Sequence, residues 1–446
     1  MKRLFLIILA SWLLVVSYSQ QVITPTSALD AYLNNGDPTW AWEIRQEYAA
    51  GTTRAYSIFF ISQKWHDILW KHELIVFVPE KIEHDGALLF ITGGSIDAGM
   101  PRYVQPDANE SRLMANIAER NSAVTAVLRQ TPNQPLYDGR TEDALISYTL
   151  NEFRKDGDFS WPLLFPMVKG ASKAMDVIQE FTQQYTGTAI NRFVISGASK
   201  RGWTTWLTGA SNDSRVVALA PMVIDILNMP ATLTDQQKDY NYSEQIADYV
   251  ELEIPQAVHS EFGNSIVQMI DPFSYLSRLT MPKMIFMGTN DPYWTIDAIK
   301  HYIEEIPGHN ILCYIPNVGH NLGDGQKAFS ALSAFFDLTL NNKPYPSLDL
   351  TMTEKTGEVT LNIKISNNQP TKAIMWTAES SSRDFRQSKW TDKVIASDIK
   401  DTVILTVAYP QAGYNAFYVE LVCKDSKGNE YSYTTRTFVL DTKRVN

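Results

Sequence analysis

The sequence predicts an α/β protein built on a mostly parallel sheet and followed by a smaller all-β module. Three observations lead there. Short continuous apolar runs alternate with amphipathic stretches from residue 86 onward, the alternation stops at Asn341-Asn-Lys-Pro-Tyr-Pro346, and short strand-like segments take over from Leu348. Continuous apolar runs suit strands covered on both faces, and alternating β and α elements imply parallel strands joined by right-handed crossovers. With 44% apolar and 20% charged residues over 446 positions, the chain can bury a sizeable core. A net charge of −10 without a Lys/Arg-rich block argues against nucleic acid or an anionic membrane as partner.

At the N-terminus, Lys2 and Arg3 precede a nearly continuous apolar run, and Ser17-Tyr18-Ser19 offers small residues for cleavage. The run is too short to span a bilayer comfortably, so residues 1–19 are expected to be a cleaved signal peptide. The mature chain is then secreted or periplasmic, with no membrane span. Residues 26–51, carrying Trp40 and Trp42, read as helical. Residues 55–62 and 73–79 are β-branched and aromatic runs, a hairpin-like pair.

Six buried-strand candidates follow, at 87–91, 123–128, 192–196, 216–220, 283–287 and 311–315. Helical spacing lies between several of them, as at 171–185, where Ala174, Val177, Ile178 and Phe181 share one face. Two antiparallel strands followed by six parallel ones is the order of an α/β-hydrolase sheet. Residues 227–271 interrupt this rhythm and are a candidate cap over the sheet's C-terminal edge. The hydrolase domain is therefore expected over 20–343. Residues 344–446 hold further alternating segments at 359–365, 403–408, 416–422 and 431–440, the spacing of an immunoglobulin- or fibronectin-like β-sandwich. Cys313 and Cys423 sit in apolar strand-like runs, which suits buried thiols and leaves a single disulfide open. Asn109, Asn212 and Asn241 each begin an Asn-x-Ser sequon.

The chemistry centres on Arg192-Phe-Val-Ile-Ser-Gly197-Ala-Ser199-Lys-Arg-Gly202-Trp. An apolar strand runs into a Gly-x-Ser turn and then a helix-compatible stretch, the context of a nucleophile elbow. Arg201 stands where the second glycine of Gly-x-Ser-x-Gly is usual, and Gly-x-Ser alone equally describes a tight turn. Two further positions add to it. Asp291 follows the strand at 283–287, and His320 follows the strand at 311–315 in Asn317-Val-Gly-His320. Separately, Asp291 fits a turn-forming Asp-Pro and His320 a surface loop. Together they supply Ser, Asp and His in α/β-hydrolase order, each after the expected strand.

Of seven histidines only His320 has that address; His66, His72 and His84 fall before the predicted parallel sheet. A second oxyanion donor is expected from Gly94 or Ser95, in the Gly93-Gly94-Ser95 loop after the strand at 87–91. Lys200 is a candidate cation at the same place. Trp161, Trp203, Trp206, Tyr293 and Trp294 cluster around these motifs, with Trp203 and Trp294 the candidate substrate-binding pair. No cofactor is called for: no His/Cys cluster has metal-ligand spacing, and no Gly-rich loop is built to cradle phosphate.

Several stretches resemble the PhoPQ-activated pathogenicity-related protein family. They are Thr131-Pro-Asn-Gln-Pro-Leu136, Arg140-Thr-Glu-Asp-Ala-Leu145, Trp161-Pro-Leu-Leu-Phe-Pro-Met167, Gly197-Ala-Ser-Lys-Arg-Gly-Trp-Thr-Thr-Trp206, Asp271-Pro-Phe-Ser-Tyr275 and Pro316-Asn-Val-Gly-His320. The resemblance implies an α/β-hydrolase fold and the triad roles for Ser199, Asp291 and His320. Asn290-Asp291-Pro292 departs from the family's Gly-Asp-Glu-Phe-Phe. The elbow also resembles the Gly-x-Ser-Arg-x-Gly of glucuronoyl esterases, which implies that Lys200 helps hold the oxyanion. Two functions are expected on these grounds. One is a secreted serine hydrolase acting on an ester or peptide. The other follows the family's branch of secreted proliferation repressors: a signalling protein, with a cell-surface receptor as partner, in which catalysis is dispensable.

Overall fold

The computed structural model describes residues 22–105 and 108–445, so the expected signal peptide lies outside the described residues. A short helix, α1 (Ala28–Leu33), precedes an antiparallel meander of β1 (Ala41–Ala50), β2 (Thr53–Trp65) and β3 (Ile68–Val78). The helix expected over 26–51 is thus only six residues long, and its second half is a strand. The reason is a period of two: Trp42 and Ile44 face the core while Glu43 and Arg45 face water.

Then come β4 (Gly86–Ile91), a minimal hairpin of β5 (Ile96–Asp97) and β6 (Met100–Pro101), α2 (Asn109–Asn121), β7 (Val124–Leu128), α3 (Glu142–Asp156) and α4 (Leu164–Tyr185). Next are β8 (Arg192–Ala198), α5 (Lys200–Gly209) and β9 (Val216–Met222). The segment expected as a cap is helical, with α6 (Met229–Tyr240), α7 (Ala247–Val250) and α8 (Glu261–Ile270). β10 (Lys283–Gly288), β11 (Asn310–Ile315) and α9 (Gln326–Leu340) complete this part.

The strands form one large mixed sheet in the order β1-β2-β3-β7-β4-β8-β9-β10-β11. Pairing is antiparallel up to β7 and parallel from β7 through β11. Six parallel strands stand as expected, but three antiparallel strands, not two, precede them. Every parallel strand is almost wholly buried, because α2 and α9 cover one face while α4 and α5 cover the other. The chain leaves each strand at the same C-terminal edge, where α/β sheets collect their functional loops. His72 lies in β3, ahead of the parallel strands as expected, and is fully buried between Ser62 and Arg129.

Beyond α9 the chain is all β: β12 (Ser347–Lys355), β13 (Glu358–Ser366), β14 (Lys372–Ser380), β15 (Thr391–Ser397), β16 (Thr402–Ala408), β17 (Tyr414–Lys424), β18 (Glu430–Thr434) and β19 (Phe438–Leu440). β12, β13 and β16 make a separate sheet. The rest, ordered β18-β17-β14-β15 with β19 on β17, continues the large sheet through the bridge Leu312↔Thr434 between β11 and β18. The module is therefore joined edge to edge to the parallel sheet, which covers the open edge that β11 would otherwise present. Val359, Leu361 and Ile363 of β13 share an apolar cluster with Phe417, Val419 and Leu421 of β17. On the other face of β17, buried Glu420 accepts Trp376 Nε1–H at 2.7 Å and pairs with Lys327 of α9 at 2.5 Å. Cys313 and Cys423 are free, buried thiols, and burial pushes both up to about 12. Among the described residues no helix is long and apolar enough to cross a membrane.

Candidate active site

Ser199 is the hinge between β8 and α5, with φ 60° and ψ −128°. This conformation is rare for a residue with a side chain and is a form of stored strain. The turn is tight enough that its glycines have no substitutes. A Cβ on Gly197 would lie 2.8 Å from Arg201 O and 2.9 Å from Ile91 O, and one on Gly202 would lie 2.7 Å from Met222 O. The packing glycine thus falls one position later than in Gly-x-Ser-x-Gly. Arg201, in the vacated position, reaches outward instead. Its guanidinium forms a two-pronged pair with Glu142 at 2.7 Å on each arm, and Nε donates to Thr131 O at 2.5 Å. Burial by itself would raise the Glu142 pKa, but Arg201 and Lys200 outweigh it and hold the carboxyl well below the usual range. Ser199 N–H donates to Met222 O at 2.9 Å, tying the turn to β9.

Asp291 and His320 meet as their strand addresses implied. Asp291 Oδ2 lies 2.8 Å from His320 Nδ1, and Tyr293 N–H donates to Oδ1 at 2.9 Å. The imidazole stacks on the Tyr293 ring with centroids 4.2 Å apart. His320 Nε2 is buried and has no hydrogen-bond partner among the described residues, and the Ser199 hydroxyl has none either. Serine and histidine are therefore not hydrogen-bonded to each other. What links them is Tyr293, which stacks on the imidazole and also lines the cavity beside Ser199.

Both loops of this pair are held from the C-terminal module. Asn290, next to Asp291, donates through Nδ2 to Arg386 O at 3.1 Å and Ser388 O at 2.7 Å. Asn317, on the His320 loop, donates to Trp390 O at 2.9 Å and accepts Trp390 N–H at 2.8 Å. Arg383 pairs with Asp239 of α6 at 2.9 Å and with Asp297 at 2.6 Å. Sequence reasoning did not identify this clamp. The resemblance stretch Pro316-Asn-Val-Gly-His320 contained Asn317, but nothing local said what it bonds.

Lys200 is buried, not solvated, and its Nζ pairs with Glu142 at 2.9 Å and Asp143 at 3.1 Å. Asp143 also accepts from Tyr249 OH at 3.0 Å. Glu142 and Asp143 were not singled out from sequence, although both sit in Arg140-Thr-Glu-Asp-Ala-Leu145. The loop of Gly94 and Ser95 packs beside the elbow, since a Cβ on Gly93 would meet Arg201 Nη2 at 2.6 Å. Trp203, Tyr293 and Trp294 line the cavity at Ser199. Trp206 is core, and Trp161 stacks on His66 at 3.9 Å outside the cavity lining. No group of three or more metal-ligating side chains occurs among the described residues.

A small crevice lined by Asp291 is also lined by Asp225. Asp225 is buried, accepts Tyr302 OH at 2.5 Å, and has its pKa pushed up to about 7 by burial and then by the charges of Asp291 and Asp297.

Two outcomes follow. Between the ordinary aspartate value of 3.8 and about 7, folded Asp225 keeps a proton that the unfolded chain has lost. Its contribution to stability therefore declines as pH rises through that window, and the cost is fully borne above it. Asp225→Asn, which retains an acceptor for Tyr302, should lessen the drop in melting temperature between pH 5 and pH 8 by a few degrees, read by calorimetry. Asn317→Ala should slow covalent labelling of Ser199 by a fluorophosphonate roughly tenfold to a hundredfold at a temperature where the fold persists. An unchanged rate would make the clamp merely structural.

A sequence model of the PhoPQ-activated pathogenicity-related protein family matches residues 29–386. Autocrine proliferation repressor protein A of Dictyostelium discoideum is 31% identical, across 91% of this chain and 88% of its own length. Among solved structures, acetyl xylan esterase 1 from Thermoanaerobacterium sp. JW/SL YS485 is 14% identical with a TM-score of 0.49, over 71% of this chain and 93% of that one. The glucuronoyl esterase from Solibacter usitatus is 13% identical with a TM-score of 0.40, over 69% and 90%. The match extends over most of the sequence, and the chain belongs to the PhoPQ-activated pathogenicity-related protein family.

Proposed function

We propose that this chain is an extracytoplasmic serine hydrolase that cleaves an ester or peptide bond through an acyl-enzyme. The observation that carries the reading is the Asp291–His320 hydrogen bond, which leaves His320 Nε2 buried and unpartnered, with Tyr293 stacked on the imidazole and lining the cavity that holds Ser199. Ser199 Oγ attacks the carbonyl carbon and its proton passes to Nε2. Asp291 holds Nδ1–H and stabilises the imidazolium. The tetrahedral oxyanion is held by the Lys200 backbone N–H at the start of α5 and by the Gly94–Ser95 loop, while the Lys200 ammonium is engaged by Glu142 and Asp143. His320 then protonates the leaving group, and a water activated by the same imidazole releases the acid.

In this reading residues 20–343 are the hydrolase domain, with 227–271 as its cap. Residues 344–446 are an immunoglobulin- or fibronectin-like sandwich fused along one sheet edge. A fluorophosphonate probe should label wild type and Asp225→Asn but not Ser199→Ala, read by intact mass. Asp291→Asn should retain the fold and lower the labelling rate by about 10⁴ through the wrong histidine tautomer. A wild type that stays unlabelled would sink the reading.

The similarity to a proliferation repressor favours a second reading, a secreted signal that engages a cell-surface receptor. Wild type and Ser199→Ala applied to growing cells distinguish the two. Equal growth repression would make catalysis dispensable.

A further inference from the structure

Ser199 forms part of the wall of a narrow cavity of about 50 Å³ roofed by the helical segment between β9 and β10. Its lining is aliphatic: Ile224, Ile226, Leu233, Ile246, Ile254 and Ile270. Apart from the Ser199 hydroxyl, the polar groups that reach it are already bonded to one another or to backbone. Asp143 takes Lys200 Nζ at 3.1 Å, Tyr249 OH at 3.0 Å and Tyr293 OH at 3.4 Å. The two indoles are turned away as donors, Trp203 Nε1–H to Ile270 O at 2.6 Å and Trp294 Nε1–H to Val223 O at 3.3 Å.

A sugar or a peptide backbone brought into this space would lose its hydrogen bonds to water and find few in exchange, at a cost of about 1–3 kcal/mol per stranded group. An alkyl chain loses nothing of the kind. Its burial is favourable in proportion to its length.

We propose that this cavity is an acyl site and that the substrate is an ester of an aliphatic acid. The assignment rests on the serine-hydrolase reading of Ser199. The alkyl chain occupies the space lined by Trp203 and the roof helices, with the carbonyl carbon at Ser199. The Oγ–C bond forms as the ester C–O bond breaks, and the alcohol departs with the proton held by His320. Water then cleaves the acyl-enzyme, leaving the free acid.

The test uses the full secreted chain with p-nitrophenyl esters from acetate to decanoate, an acetylated xylobiose and a peptide p-nitroanilide. kcat/KM should climb up to about fourfold per added methylene until the cavity is filled. Leu233→Trp should lower the octanoate-to-acetate ratio at least tenfold. A profile flat in chain length, or faster turnover of the acetylated sugar or the peptide, would overturn the acyl assignment while leaving Ser199 a labelled nucleophile. A second arm is independent of turnover: octanoic acid should raise the melting temperature of Ser199→Ala but not of Ser199→Ala with Leu233→Trp. If Ser199 resists fluorophosphonate while octanoic acid still stabilises the single variant, the hydrolase reading fails and the cavity stands as an aliphatic-acid site. No stabilisation of Ser199→Ala counts against the cavity itself.

Discussion

Ser199 occupies a backbone conformation that costs on the order of 1–3 kcal/mol, and the rest of the site is arranged around keeping it there. The turn is pinned from three directions. Ser199 N–H bonds to β9, Gly197 and Gly202 admit backbone where any side chain would collide, and Arg201 ties the first turn of α5 to Glu142 and Thr131. A charge pair so placed is expensive to desolvate. It persists because the geometry is two-pronged and Glu142 gains further bonds from Lys200 and Gln134. The same network fixes Lys200 beside the serine and packs the Gly93–Gly94 loop against the Arg201 guanidinium.

The second constraint comes from the far end of the chain. The acid and histidine loops leave adjacent strands, β10 and β11, and each is hydrogen-bonded through an asparagine to the backbone of residues 385–390. Backbone carbonyls make firm acceptors, because the loop that carries them is itself anchored by buried Trp390 and by the Arg383 pairs to Asp239 and Asp297. The C-terminal module is therefore joined to the parallel sheet at its edge and to the site at its loops. It contributes no side chain to the Asp291–His320 pair, yet it is hydrogen-bonded to both loops that carry the pair.

Much of this was legible in the amino-acid order. The parallel strands announced themselves because double-sided burial demands unbroken apolar runs, and the chain order of Ser199, Asp291 and His320 followed from where those runs end. Residues 41–50 were misread because two tryptophans and scattered charge look alike in a helix and in an edge strand; only pairing with β2 decides between them. β15 escaped notice for a related reason, since a largely exposed strand carries too few apolar residues to stand out. The irregular elbow at Arg201 looked like a weakness of the motif and turned out to be a glycine moved one step along, with an ion pair in its place.

What the sequence determined by itself is what depends on near neighbours: strand identity, the strained Gly-Ala-Ser turn, and the position of each chemical group at a strand's end. Tertiary structure alone decided what depends on partners distant in the chain. Asn317 and Trp390, Arg201 and Glu142, and Glu420 and Lys327 lie many residues apart, and a polar side chain gives no local sign of which remote group will satisfy it. The same is true of the cavity beside Ser199, because an isoleucine on a helix is apolar whether it fills a core or lines a site. Only the folded chain leaves space between them.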